Sequence, residues 1–163
     1  MRLLGGAYYT PHQLDLAIGS LFGVDTQLID DGTYFVIDGD DRLAGAGGWS
    51  YRQTLYGASE RSGRDPSPLD PATQPARIRA FYVDPDHARR GVGRALLARC
   101  EAEAEARGYR SLELLGTLGG VALYAALGYE AGPVAHLTLP DGTPMAFVPM
   151  RKTLAAARGR PQD

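Results

Sequence analysis

The chain has 163 residues, 44% of them hydrophobic, and a formal net charge of −2, which suits one globular domain with a core of its own. A balance this close to neutral excludes the broad basic face that duplex binding requires, so any basic site must be a local cluster and no nucleic-acid partner is expected. The single cysteine, Cys100, can form no internal disulfide, and no run of about 18 apolar residues occurs, so a cytoplasmic chain without a membrane span is expected.

In chain order, the opening MRLLGGAYYTPH carries one arginine but no apolar run of signal-peptide length. Thr10-Pro11-His12-Gln13 predicts a helix start, with threonine as N-cap, proline in the first turn and glutamine closing a capping box. Leu14, Ile18, Leu21 and Phe22 mark its apolar face, and Thr26 is placed to cap a second short helix ending near Gly32. From Thr33 the period changes to strands, TYFVID and RLAGAGGWSY, joined by a Gly39-Asp40-Asp41 turn. Residues 52–75 have no clear period and predict a long loop, the kind that in compact domains is functional or disordered. ARIRAFYVD, Ala76 to Asp84, predicts a strand stopped by Pro85; Gly91 to Gly108 predicts a helix with Val92, Leu96, Cys100 and Ala104 stacked at four-residue spacing. Ser111–Leu115 predicts a strand, Gly120–Leu127 a short helix, and Val134–Leu139 with Met145–Met150 a hairpin over Asp141-Gly142. The expected architecture is one α/β domain over residues 1–153, a mixed sheet with helices on its faces, followed by a flexible tail over 154–163.

DHARRGVGRALLARC, Asp86 to Cys100, carries the first chemical signal. A glycine-containing turn from a proline-stopped strand into a helix presents unpaired amides at the positive end of the helix dipole, which is an anion site. Gly91 and Gly93 let a ligand approach the backbone, and Arg89, Arg90 and Arg94 add donors suited to phosphate oxygens. A P-loop would need Lys followed by Ser or Thr, where Arg94-Ala95 stands, and a dinucleotide fingerprint would need glycine at Leu96. Alone, the segment is a weak signal, and its other reading is a plain helix start with solvated arginines.

A second segment, VALYAALGYE from Val121, places a tyrosine four residues before a Gly-Tyr pair on a short helix that follows a strand. Together the two segments resemble the GNAT superfamily of acyl-CoA-dependent N-acyltransferases. Phe81 to Pro85 followed by Ala88 to Gly93 matches that family's pyrophosphate turn, and Val121, Tyr124, Gly128 and Tyr129 match its second signature; the resemblance covers Ala76 to about Glu130. It implies a mostly antiparallel sheet whose fourth and fifth strands splay apart, the fourth being Ala76–Asp84. It implies acetyl-CoA as cosubstrate without a metal, transfer of the acetyl group to a small-molecule amine, and Tyr124 as the general acid that protonates the departing thiolate. Backbone groups of Phe81 and Val83 are implied to hold the pantetheine arm, one splay amide to steady the thioester oxygen, and amides from Arg89 to Ala95, Val92 included, to hold the pyrophosphate.

Several positions depart from the family. Ala88 stands where Gln or Arg is usual, and Thr117 stands at about the place of a frequent asparagine near the coenzyme. Alternation puts Arg77, Arg79, Phe81 and Val83 on one strand face and Ile78, Ala80 and Tyr82 on the other, with Arg77 at a common position of the base. Arginine is no base at neutral pH, which leaves Glu113, a loop carboxylate such as Glu60, or a water chain. Arg77 and Arg79 either bind an anionic acceptor beside Trp49 and Tyr51 or pair with acids such as Glu113; Trp49 and Tyr51 either line the acceptor site or cover the core edge. Glu101, Glu103 and Glu105 read as a solvated helix face, and His12, His87 and His136 show no ligand spacing, although His87 lies near the phosphate turn. The family opens with a strand where MRLLGGAYY offers a stub, which would bare a sheet edge and favour a homodimer. A noncatalytic acyl-CoA sensor is the rival reading.

Overall fold

The computed structural model describes residues 6–57 and 63–155. The first helix, α1 (Pro11–Ala17), starts as its sequence dictates: the Thr10 hydroxyl accepts from the Gln13 amide at 3.1 Å, and the Gln13 side chain accepts from the Thr10 amide at 2.9 Å. It buries Leu14 and Ala17. The second, α2 (Thr26–Asp30), has Asp25 as its N-cap rather than Thr26, and no side-chain cap bond. The Asp25 carboxylate is occupied elsewhere, between two arginines described below.

Seven strands form one sheet: β1 (Tyr34–Asp38), β2 (Leu43–Ser50), β3 (Ala76–Val83), β4 (Ser111–Thr117), β5 (Glu130–Ala131), β6 (Ala135–Thr138) and β7 (Pro144–Thr153). Their order is β1-β2-β3-β4-β7, with β5 and β6 both on the far side of β7, and every pairing is antiparallel except β3 with β4. The short β5 carried no strand signal in the sequence. Two further helices, α3 (Val92–Ala106) and α4 (Val121–Ala126), complete the chain order. One core cluster holds Trp49, Ile78, Leu97, Cys100, Leu112, Tyr124 and Met150 under α3; a second holds Tyr9, Leu14, Leu139, Met145 and Phe147 under α1. Apolar residues on both sheet faces thus anchor helices on both sides.

The segment predicted as a structureless loop is tied back on itself. Arg52 bridges to Pro68, the Gln53 amide donates to the Ser67 carbonyl, and Leu69 to Tyr51. Among the described residues β1 is a sheet edge with Val36 exposed, and residues 6–9 turn rather than extend.

Two irregularities of β3 position everything that follows. Its ladder with β4 consists of Ala76↔Leu112 and Arg77↔Glu113, after which the strands part. Against β2 the register slips between Ala46↔Tyr82 and Gly48↔Arg79, so β3 carries an extra residue there, and Ala80 has φ 48°. This is a β-bulge, and it breaks the predicted alternation. Arg77 and Arg79 share the α2 side with Tyr82, whose hydroxyl meets Gly23, whereas Ile78 and Phe81 pack with the α3 core.

Candidate active site

The parting of β3 and β4 opens a cleft of about 780 Å³. The Asp84 amide donates to the Ala44 carbonyl on the β2 side, so alternation turns the backbone groups of Val83 and Phe81 to the opposite, open side. The same conclusion comes from Ala80, whose carbonyl accepts from the Tyr34 hydroxyl of β1 at 3.1 Å. A trans peptide directs C=O and N–H oppositely, so the Phe81 N–H is aimed away from β1 and into the cleft. Tyr34 reaches two strands across because Gly48 stands between them: a Cβ there would lie 2.9 Å from the tyrosine ring and 2.6 Å from the Thr33 carbonyl oxygen. Burial pushes the Tyr34 hydroxyl up to about 12, so it remains a donor.

At one end of the cleft stands the start of α3. Asp84 caps a single 3-10 turn, Pro85–His87, and the chain then passes through Arg89 at φ 60° and Gly91 at φ 82°. Gly91 is the helix N-cap, has no side-chain bond to the first turn, and adopts the left-handed conformation that glycine takes without penalty. The amides of Val92, Gly93 and Arg94 are therefore open to an anion. The Ala95 amide is not: it donates to the Gly91 carbonyl at 2.9 Å, so the expected donor set shortens by one residue. Arg89, Gly91, Gly93 and Arg94 line the cleft; Arg90 does not, and the Val92 side chain is turned towards Gly45 of β2. His87 packs on the β1–β2 turn at Gly39, away from the cleft.

Tyr124 lines the middle of the cleft, its ring 6.0 Å from that of Phe81, and is 8% exposed. Burial, with smaller contributions from Cys100 and Tyr82, raises its pKa well above that of an ordinary tyrosine, so the hydroxyl keeps its proton. Thr117 joins this wall at the end of β4.

The residues expected to meet the acceptor are placed differently. Trp49 is completely buried, edge-on to Tyr51 and Tyr109, with the Arg107 guanidinium 5.1 Å over its ring. Arg107 ends α3, so Trp49 and Tyr51 sit at the far end of the helix whose start faces the cleft, and neither lines it. Arg77 is ion-paired with Glu113 at the closed end of the strands and also lies off the cleft. Arg79 lines the cleft but is committed: one nitrogen lies 2.6 Å from Asp25, and its donors reach the Thr54 carbonyl at 3.1 Å and the Gly57 carbonyl at 2.6 Å. Desolvation lowers the Arg79 pKa to about 10, opposed by Asp25. Arg64 donates to the other Asp25 oxygen at 3.0 Å, closing a buried triad. Asp25 Oδ2 lies close to Arg79 without an aligned hydrogen bond, so that contact is one of charge. Glu60 lies outside the described residues.

The opposite wall was not legible as a wall. Leu21, Phe22, Leu55, Tyr56, Leu137 and Phe147 close the α1 side of the cleft, with the Phe22 and Phe147 rings 6.2 Å apart. The only sequence signals were the apolar face of the first helix, which named Leu21 and Phe22, and the length of the 52–75 loop. Among the described residues, no group of His, Cys, Asp or Glu is placed to hold a metal ion, and no helix is long and apolar enough to cross a membrane.

A sheet parted beside an uncapped, arginine-flanked helix start, with a protonated tyrosine between, is the architecture of acyl-CoA N-acyltransferases. The chain belongs to the acetyltransferase (GNAT) family, whose model matches residues 8–129. No curated protein matches it significantly. Among solved structures it is similar to a GCN5-related N-acetyltransferase from Rhodopseudomonas palustris, at 19% identity and a TM-score of 0.64, covering 93% of this chain and 81% of that one. A ribosomal-protein-alanine N-acetyltransferase from Brucella melitensis superposes with a TM-score of 0.57 at 19% identity, covering 79% of this chain and 74% of that one. An N-acetyltransferase from Staphylococcus aureus Mu50 gives 0.57 at 16%, covering 80% and 73%. At such identities the likeness speaks to the fold.

Proposed function

We propose that the protein transfers an acetyl group from acetyl-CoA to the nitrogen of a small primary amine by direct attack on the thioester. The observation that carries this reading is the conjunction, in one cleft, of the open α3 amides, the outward-facing Phe81 backbone and the protonated Tyr124. The amides of Val92, Gly93 and Arg94, with Arg89 and Arg94, hold the pyrophosphate. Backbone groups of Phe81 and Val83 hold the pantetheine arm as a missing strand would. The neutral amine attacks the thioester carbon: a C–N bond forms, negative charge grows on the oxygen, and the Phe81 N–H is aimed to stabilise it. The C–S bond then breaks, and Tyr124 gives its proton to the departing sulfur. No carboxylate or histidine lines the cleft among the described residues, which leaves a water chain or a loop carboxylate such as Glu60 to take the proton of the amine.

Calorimetric titration with acetyl-CoA, repeated on Gly91→Glu, tests the coenzyme site. Binding by the parent and its loss in a folded Gly91→Glu protein are expected, because a side chain at φ 82° strains the turn and a carboxylate there repels phosphate. Thiol release with an amine panel tests the chemistry, and Tyr124→Phe should lower kcat by roughly 100-fold, a typical general-acid contribution. Coenzyme binding without thiol release from any amine would identify a noncatalytic acyl-CoA sensor instead.

A further inference from the structure

Tyr9 makes two hydrogen bonds through one oxygen. Its hydroxyl donates to the Ala146 carbonyl of β7 at 2.7 Å and accepts from the Leu118 amide, just past the end of β4, at 2.9 Å. Those two backbone groups are the next rung of the β4–β7 ladder. The last register pair is Thr117 with Phe147, which puts Leu118 opposite Ala146. On the other side of β7 the Leu139 amide donates to the Thr143 carbonyl, and the register continues through Leu137 with Met145 to Ala135 with Phe147. Alternation therefore turns Met145 and Phe147 towards β6 and the Ala146 carbonyl towards β4. The phenol oxygen stands inside this rung and separates an amide and a carbonyl that would otherwise bond directly. Burial raises the Tyr9 pKa, against a smaller lowering by the Leu118 amide, so the donor persists.

That rung is where the chain leaves the sheet for the cleft. Leu118 opens the 3-10 turn Leu118–Gly120, which runs into α4 and Tyr124. The turn has no slack against the tyrosine: a Cβ on Gly120 would lie 3.1 Å from the Tyr124 ring and 3.2 Å from the Thr117 hydroxyl. A shift of the Leu118 amide is therefore passed on to the ring. Tyr9 is itself fixed from behind. It is 5% exposed, its ring lies 6.1 Å from that of Phe147, and it directly precedes the capping box of α1. Gln13 of that box donates to the Pro144 carbonyl at 2.9 Å, and His12 meets Asp141 at 2.8 Å, so the start of α1 is tied to the β6–β7 hairpin on both sides of Tyr9's own bond. A phenol can donate and accept at once, whereas phenylalanine would fill the same space and do neither.

We infer that Tyr9 is a positioning residue for Tyr124: its hydroxyl spaces the end of β4 from β7 and so sets where α4 delivers the Tyr124 phenol into the cleft. Tyr9 does not line the cleft and acts through the turn. Its effect on rate rests on the transferase reading above; its effect on the placement of Tyr124 does not.

The test is Tyr9→Phe, which keeps the ring in its core cluster. Tyr109→Phe, which loses a buried tyrosine bond away from α4, is the control for stability alone. In the ligand-free protein with its tyrosines carbon-13 labelled at Cζ, the Tyr124 resonance is identified by its loss in Tyr124→Phe. It should move in Tyr9→Phe and stay in place in Tyr109→Phe. With an amine that turns over, kcat should fall about tenfold in Tyr9→Phe at unchanged KM for acetyl-CoA, within the roughly 100-fold that misplacing a reacting group can cost. In a Tyr124→Phe background the same change should lower kcat by less than about twofold, because no phenol is left to place. An unmoved Tyr124 resonance would overturn the inference, as would an unchanged kcat in Tyr9→Phe or equal losses in the two backgrounds. A moved resonance in a protein that releases thiol with no amine would uphold the placement of Tyr124 by Tyr9 and sink the transferase reading.

Discussion

The two ends of β3 put one strand to opposite uses. At the closed end Ala76 and Arg77 keep their β4 partners, Arg77 is paired with Glu113, and Trp49 is packed edge-on to Tyr51 and Tyr109 with the Arg107 guanidinium over its ring. At the open end, from Ala80 to Val83, the strand has no β4 partner and turns backbone groups towards a cleft. The difference teaches where chemistry sits on such a strand. Its conspicuous charged side chains are neutralised internally and hold the fold, whereas the bare amides, which no side chain announces, are the groups left available to a ligand.

The sharpest way to break that comparison is Arg79→Met. With Asp25 1% exposed and Arg79 2% exposed at their side chains, the change strands a buried carboxylate and should cost about 3 kcal/mol in urea unfolding, the low end of the range for breaking a buried pair because Arg64 remains. A loss below about 1 kcal/mol would mean that the triad is no better than a solvated pair. Tyr34→Phe removes the hydroxyl that fixes the Ala80 carbonyl and hence the aim of the Phe81 amide. It should lower kcat about tenfold, equivalent to one hydrogen bond in the transition state, with acetyl-CoA affinity unchanged. Infrared spectra of bound acetyl-CoA labelled at the thioester carbon should show the carbonyl stretch moving back towards its free position; an unmoved band would break the link between Tyr34 and the cleft. At the closed end Tyr109→Phe removes a 3.3 Å bond to the Leu69 carbonyl and should cost about 1 kcal/mol of stability with kcat unchanged. The smallest expected effect is an absence of change with pH. Because the Tyr124 pKa is raised by burial, the protonated, active form persists beyond the ordinary tyrosine range, so kcat should show no alkaline fall up to about pH 10. A fall centred below that value and missing in Tyr124→Phe would contradict the raised pKa.

What could be read from the sequence was whatever local chemistry determines. The capping box at Thr10 needs only four consecutive residues, and it formed as written. The turn at Gly91 and the helix carrying Tyr124 are likewise short-range, and both stand on the cleft. The bulge at Ala80 was not legible because alanine in a strand gives no local reason for φ 48°. Its cause is tertiary: a tyrosine from β1 passes over a glycine of β2 to reach it. One inserted residue then moved Arg77 and Arg79 to the face opposite that of Phe81. Trp49 was left open between pocket and core for a related reason, since strand-end aromatics serve either equally well until the direction of the neighbouring helix is known. Asp25, the partner that commits Arg79, lies 54 positions away in a helix cap, and no pattern links the two.

The cleft is walled by α3 and α4 from one side of the sheet and by the α1 segment and the 52–57 loop from the other, and this arrangement governs the order of events as well as their chemistry. In the proposed transfer the coenzyme lies against the α3 and α4 wall and the amine against the opposite one, so both can be held at once. The one thiol of the chain, Cys100, is buried in the core with its pKa pushed up to about 12, so it is no candidate to carry an acyl group between two half-reactions. Initial-rate plots at several fixed coenzyme concentrations should therefore intersect, the signature of a ternary complex, rather than run parallel.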